Sequence, residues 1–162
     1  MGVEAGLRCV VGLGEELPFR DGAFDAVYAQ GTMHHMETDL AFSECRRVLV
    51  SGGRFAAVEP WRGPLYNVGI RFFGKRDPKV QCVVLTARRV NPAVRVFDGA
   101  RTIHHGAVTR YPLLALAKIG LSPSRRVLWT IGTFDDAVSS LIPRLRRTGS
   151  SVAILGTRKE QG

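Results

Sequence analysis

A chain of 162 residues, 45% hydrophobic and 23% charged, is long enough to bury a core of its own as one domain. A net charge of +9 raises nucleic acid as a partner, but the arginines are scattered in pairs and no aromatics interleave with them as a stacking platform requires. The chain has no apolar run of the roughly 18 residues that a membrane span needs and no secretion-signal pattern at its start. Its three cysteines lack C-x-x-C spacing, which suits reduced thiols in a cytoplasmic protein with no membrane partner.

In chain order, Arg8 to Gly12 is predicted as a strand and residues 13 to 23 as a loop. Phe24 to Ala29 follows the turn signal Arg20-Asp21-Gly22 as a short apolar run, the pattern of a strand covered on both faces. Thr38 or Asp39 suits the cap of a helix in which Ala41, Cys45, Val48 and Leu49 recur at helical spacing. Arg46 and Arg47 fall in its last turn, where the helix dipole favours cations, and Gly52-Gly53 are expected to stop it. Cys9 and Cys45 lie on apolar faces and are expected in the core. Phe55 to Val58 reads as the next buried strand, closed by Pro60 because proline donates nothing to a ladder. Strand, helix, strand is a crossover joining parallel neighbours. Beyond it, Trp61 to Pro78 suggests a short amphipathic helix, and Asn91-Pro92-Ala93-Val94 a turn. Tyr111 to Ile119 reads as a helix, and Phe134 to Arg147 as another begun by Thr133 and kinked at Pro143. Ser151 to Thr157 is the last strand.

Six pieces of this stretch stand in a fixed order: Leu17-Pro18-Phe19, Phe24-Asp25-Ala26-Val27, His34-His35, Glu44-Cys45-Arg46-Arg47-Val48-Leu49, Ser51-Gly52-Gly53 and Glu59-Pro60. Together they resemble the class I S-adenosylmethionine-dependent methyltransferases that act on small molecules, methyltransferase type 11-like. The likeness is close over about residues 8 to 60, with Ser51 where the family has proline. It implies an α/β, Rossmann-like sheet that is N-terminally truncated, lacking the first two strands, and that ends in a C-terminal antiparallel hairpin. One partial domain spans 1–162, with a probable lid or insert at 61–103. Arg125 to Ile131 is then expected as the sixth strand of the family fold. The chain would be the latter two-thirds of such a domain, and Gly12-Leu13-Gly14, which leads into no helix, the exit of the family's third strand.

The same resemblance implies S-adenosyl-L-methionine as cofactor, with Leu13, Gly14, Glu15, Gln30 and Gly31 facing it from an incomplete bed. It implies an acceptor pocket lined by Trp61 and Tyr66. His34 and His35 lie beyond the carboxyl end of a parallel strand, where open α/β sheets bind ligands, and Glu59 ends the next strand at the same rim. An imidazole there suits removal of a proton from an acceptor, making His35, His34 and Glu59 the catalytic candidates. The alternative is that one histidine caps the neighbouring helix and the other packs on the sheet. His104-His105 is a second pair, but without carboxylate or cysteine spacing neither pair predicts a metal. Glu44 is expected as a helix-surface or helix-to-strand tether and Asp25 as an anchor of the loop ahead of its strand. The strand at Asp25 should expose an edge, to be covered by direct strand pairing, by a homodimer or by an upstream segment. Three functional readings follow: methyl transfer to a small molecule, a catalytically inactive methyltransferase-like partner, and a basic RNA-binding module.

Overall fold

The computed structural model of the chain describes residues 8–64, 66, 67, 71, 83–106, 109–146 and 148–159. Four strands form one sheet in the order β1-β2-β4-β3: β1 Phe24–Gln30, β2 Leu49–Pro60, β3 Asp98–His105 and β4 Ser151–Thr157. β1 and β2 are parallel and joined through helix α1, Thr38–Val48; β4 runs antiparallel to both β2 and β3. The expected crossover is present, and the sheet closes on an antiparallel pair, though not on a hairpin: three helices separate β3 from β4 in the chain. The other helices with bounds among the described residues are α2 Ala87–Val96, α3 Arg110–Lys118, α4 Arg125–Leu141 and the short α5 Pro143–Arg146.

α1 turns Ala41, Phe42, Cys45 and Val48 into the core, the face its spacing predicts. Phe42 meets Phe55 of β2 and Phe97 edge-on, at ring separations of 5.7 and 6.5 Å, while Phe55 and Phe97 stack at 4.6 Å. Such ring pairs add about 0.5–1.5 kcal/mol each beyond their burial. Val90 and Ala93 of α2 close this core beside Val152 and Ile154 of β4.

Several expectations are corrected. Arg8 to Gly12 forms no strand: residues 8–12 are exposed, and the local pairing is a lone bridge between Leu13 and Glu16. A strand needs a ladder partner, and no described strand lies beside it. β1 is covered on one face only, its outward residues being exposed. Cys9 is exposed, whereas Cys45 is buried. The α1 cap position is Glu37, with Thr38 the first helical residue. Gly52-Gly53 do not stop α1, which ends at Val48; they lie inside β2, where the partners of Phe24 and Ala26 are Leu49 and Arg54 and the extra residues bulge out. Gly52 takes φ +73°, and a Cβ on Gly53 would lie 2.8 Å from the Val50 carbonyl, so both glycines serve that bulge.

Asn91 to Val94 is no turn but part of α2, with Pro92 inside the helix; burial of Val90, Pro92 and Ala93 outweighs the turn signal. Arg125 to Ile131 is the first half of α4, not a strand. Ser124 caps it by accepting from the Val127 N–H, and the edge position is filled by β3. The helix expected over 134–147 thus starts at Arg125, stops at Leu141 and gives way at Pro143 to α5. Within the 61–103 region expected as lid or insert, Ala87–Val96 is α2, packed on the sheet, and residues 98–103 belong to β3. Most of 65–82 lies outside the described residues.

Candidate functional site

The carboxyl ends of β1 and β2 lie side by side, and the chain leaving β1 passes through the one-turn 3-10 helix Met33–His35 before entering α1. Glu59, near the end of β2 and 1% exposed, holds this turn. Its Oε1 accepts the backbone N–H of Thr32 at 2.9 Å and of Met33 at 3.0 Å, and its Oε2 lies 2.6 Å from His34 Nδ1. A buried carboxylate is tolerated only with such partners, and here three donors meet it. With Nδ1 donating to the Glu59 carboxylate, the ring's other nitrogen, Nε2, is the one not engaged by Glu59. His35 is exposed and its ring leans on that of His34 at 4.0 Å.

Two further elements brace the turn. The hairpin at 13–16 docks on its far side: Glu15 Oε1 accepts the Glu37 N–H at 2.8 Å, and Gly14 lies so close to Met36 that an added Cβ would fall 2.3 Å from its sulfur. Arg89 of α2 reaches across and donates to the carbonyls of His34, Met36 and Val83. Arg89 was not foreseen; its only signal in the sequence is a place in the first turn of a helix that the sequence reads as a turn. Lower down, Glu44 and Arg47 form a bidentate pair at 2.8 Å, and both hold the Leu17-Pro18-Phe19 loop. Glu44 accepts the Leu17 N–H, while Arg47 donates to the Leu17 and Phe19 carbonyls and to Asp21. The Arg47 guanidinium, with help from the Leu17 N–H, lowers the Glu44 carboxyl below its ordinary range against the opposing cost of burial. Glu44 is a tether, but it ties α1 to the Leu17-Pro18-Phe19 loop and not to a strand.

Among the cofactor-facing candidates, Leu13, Gly14 and Glu15 share this rim with Gln30 and Gly31 at the end of β1. Leu13 is 67% exposed and Gly31, at φ +62°, has open space where a Cβ would project, whereas Gly14 is filled by Met36 and the Glu15 carboxylate is engaged. Gln30 accepts from the Tyr28 hydroxyl at 3.1 Å. Of the acceptor-pocket candidates, Tyr66 lines a cleft of about 740 Å³ with Glu37, Thr38, Arg62, Arg88 and Arg89. Trp61 does not: its ring packs edge-on to His104 at 4.5 Å, on the core face of the sheet. Desolvation, aided by the neighbouring His105, lowers the pKa of His104, whose buried Nδ1 has no partner. His105 instead meets Asp136 of α4 at 2.8 Å. The two histidine pairs do not converge, and no cluster suited to a metal occurs among the described residues.

The fold is α/β: a parallel β–α–β unit continued by an antiparallel pair, with a locked turn at the carboxyl ends of its parallel strands, where open α/β sheets bind ligands. Residues 2–57, about a third of the chain, match the family model described as "Methyltransferase domain". Over 74 residues the chain is 44% identical to the mitochondrial 2-methoxy-6-polyprenyl-1,4-benzoquinol methylase of Bos taurus, covering 41% of this chain and 22% of that protein. Over 67 residues it is 42% identical to a sterol 24-C-methyltransferase of Gibberella zeae, covering 41% of this chain and 18% of that protein. The chain thus spans about a fifth of the length of these relatives. The crystal structure of a possible histamine N-methyltransferase from Thermotoga maritima superimposes with a TM-score of 0.59 over 91% of this chain and 62% of that one; at 16% identity the likeness is one of fold.

Proposed function

We propose that this chain takes part in S-adenosylmethionine-dependent methyl transfer to a small-molecule acceptor and builds the acceptor side of the site. The observation that carries this reading is the Glu59-locked turn: a buried carboxylate fixes Thr32, Met33 and His34 at the carboxyl ends of two adjacent parallel strands. When bound, the cofactor supplies an electrophilic methyl group; Leu13 and Gly31 would bear on it from this chain. Methyl transfer asks the protein mainly to hold donor and nucleophile in line and exclude water. In this reading His34, with Glu59 fixing its tautomer, takes the acceptor's proton on Nε2, and His35 faces the acceptor beside it.

The edge of β1, unpaired among the described residues, is the place for a second copy of the chain or a complementary strand to add to the sheet. No helix among the described residues is long and apolar enough to cross a membrane, and the free thiols of Cys9 and Cys45 support a reducing, cytoplasmic setting.

Calorimetric titration of the purified chain with S-adenosyl-L-methionine, with S-adenosylhomocysteine as competitor, tests the reading. Micromolar affinity, abolished by the competitor, is the expected outcome. A folded sample that gives no heat up to millimolar ligand favours instead an inactive, methyltransferase-like partner.

A further inference from the structure

We propose that the cleft lined by Arg62, Tyr66 and Arg88 binds an anionic oxygen group, a carboxylate or a phosphate, carried by the acceptor. The word acceptor rests on the methyl-transfer reading; the anion site itself does not. The cleft, about 740 Å³, has the size of a small-molecule site and opens beside the Glu59-locked turn.

Its charges do not cancel. Asp39 on its wall is already paired with Arg95 at 3.0 Å. Arg89 is occupied by the carbonyls of His34, Met36 and Val83. Arg62 and Arg88 remain, and among the described residues neither guanidinium makes a hydrogen bond or ion pair. The backbone sets them on one wall. The Arg62 N–H donates to the Leu85 carbonyl at 2.9 Å, and Trp61 bridges Leu85, so Arg62 sits beside the start of the helix that carries Arg88 three residues on. Tyr66 and Asn67 line the cleft with them, and the Tyr66 hydroxyl adds a neutral donor.

The helix ends lend support without carrying the inference. α1 and α2 both begin at this cleft, through Thr38 and Thr86, and neither cap side chain bonds to its helix. Their first N–H groups and the positive ends of their dipoles therefore add to the field of the two arginines. Glu37 is the one acid of the cleft with no cation paired to it, and it repels an anion on its own side. The anionic group thus belongs on the Arg62–Arg88 side, and the rest of the acceptor extends past Tyr66 toward Thr38. Arginine suits the task, since its planar fork matches carboxylate and phosphate oxygens two at a time.

The test is a titration of the purified full chain with inorganic pyrophosphate and, separately, with benzoate, at low and high salt. Wild type is expected to bind at least one of them; binding of pyrophosphate alone assigns a phosphate, and binding of benzoate alone a carboxylate. The double variant Arg62→Gln, Arg88→Gln should weaken that binding at least about ten-fold, because each lost charge-assisted contact is worth about that much. The double variant Arg125→Gln, Arg126→Gln, on a distant helix of the same basic chain, should stay within about two-fold. No binding of either anion to folded wild type overturns the proposal. So does equal binding by the Arg62, Arg88 variant at an unchanged urea midpoint, or an equal loss in the Arg125, Arg126 variant. If the chain fails to bind S-adenosyl-L-methionine yet binds anions through Arg62 and Arg88, the methyl-transfer reading falls and the anion site stands.

Discussion

On one face of the sheet Phe55, Ala57, Val152 and Ile154 are each 2% exposed or less; on the other, Tyr28 is 63% exposed, Ile103 40% and Val58 37%. The first face carries α1 and α2 and the three-ring cluster. The second has a groove of about 510 Å³ over Ala26, Tyr28, Ala56 and Leu155, and α4 meets it at His105 through Asp136. Composition alone separates the two faces poorly, because both carry apolar residues, the open one with Arg54 and Arg101 among them. Strands with apolar residues on both sides are those of sheets covered on both sides, and the groove's apolar floor is rimmed by Arg54, Asp98 and Arg101. The difference between the faces is one of cover.

The largest effect that tests this contrast is truncation in the ring cluster. Phe55→Ala should lower the unfolding free energy by about 3–5 kcal/mol, since it removes a fully buried ring that touches Phe42 and Phe97. Tyr28→Ala, one residue along the neighbouring register on the open face, should change it by less than about 0.5 kcal/mol. Urea unfolding of both variants reads the two numbers. A large loss for Tyr28→Ala would break the comparison: the open face would then be covered in solution.

How much of this was legible in the residues follows the same divide. The change of period from strand to helix and back makes β1, α1 and β2 readable, and the glutamate and arginine of the Glu44-to-Leu49 motif prove to be one clamp on the Leu17-Pro18-Phe19 loop. Asp98 to His105 does not read as a strand, because Asp, Gly, Arg and His favour none; its pairing with β4 makes it one. Arg125 to Ile131 is a short apolar run that fits strand or helix equally, and the Ser124 cap decides it. At the site, position told that Glu59 ends a strand at a ligand-binding rim. It did not tell that the carboxylate spends both oxygens on a turn 25 to 27 residues away in sequence, because long-range hydrogen bonds leave no periodic trace. Arg89 was hidden for the same reason.

A smaller effect sharpens the contrast between the buried side of α1 and the side that grips the loop. With the Glu44 carboxyl lowered in the folded chain by Arg47, its contribution to stability is present above the ordinary value of 4.5 and is lost as pH falls through the depressed folded value. Glu44→Gln should therefore lower the Tm by about 2–4 °C at neutral pH. The gap to wild type should close in acid. Thermal melts at a series of pH values check this, and a gap that stays constant down to strongly acidic pH would mean that the carboxylate charge is not what holds the loop.

The smallest perturbation leaves the fold intact and asks only which thiols can react. Cys45 lies on the covered side of α1, where burial, helped by the charge of Glu44, pushes its thiol up to about 12. A thiol reacts as its thiolate, so at mildly alkaline pH Cys45 is both protonated and shielded. Cys9 is exposed, and its reaction needs no opening of the fold. Brief alkylation of the native chain followed by peptide mass analysis should label Cys9 at least about ten-fold faster than Cys45, and urea should abolish the difference. Fast labelling of Cys45 at an unchanged Cys9 rate would mean that α1 lifts from the sheet on that timescale. The face on which the ring cluster rests would then open locally, and the contrast with the Tyr28 face would be one of rate, not of cover.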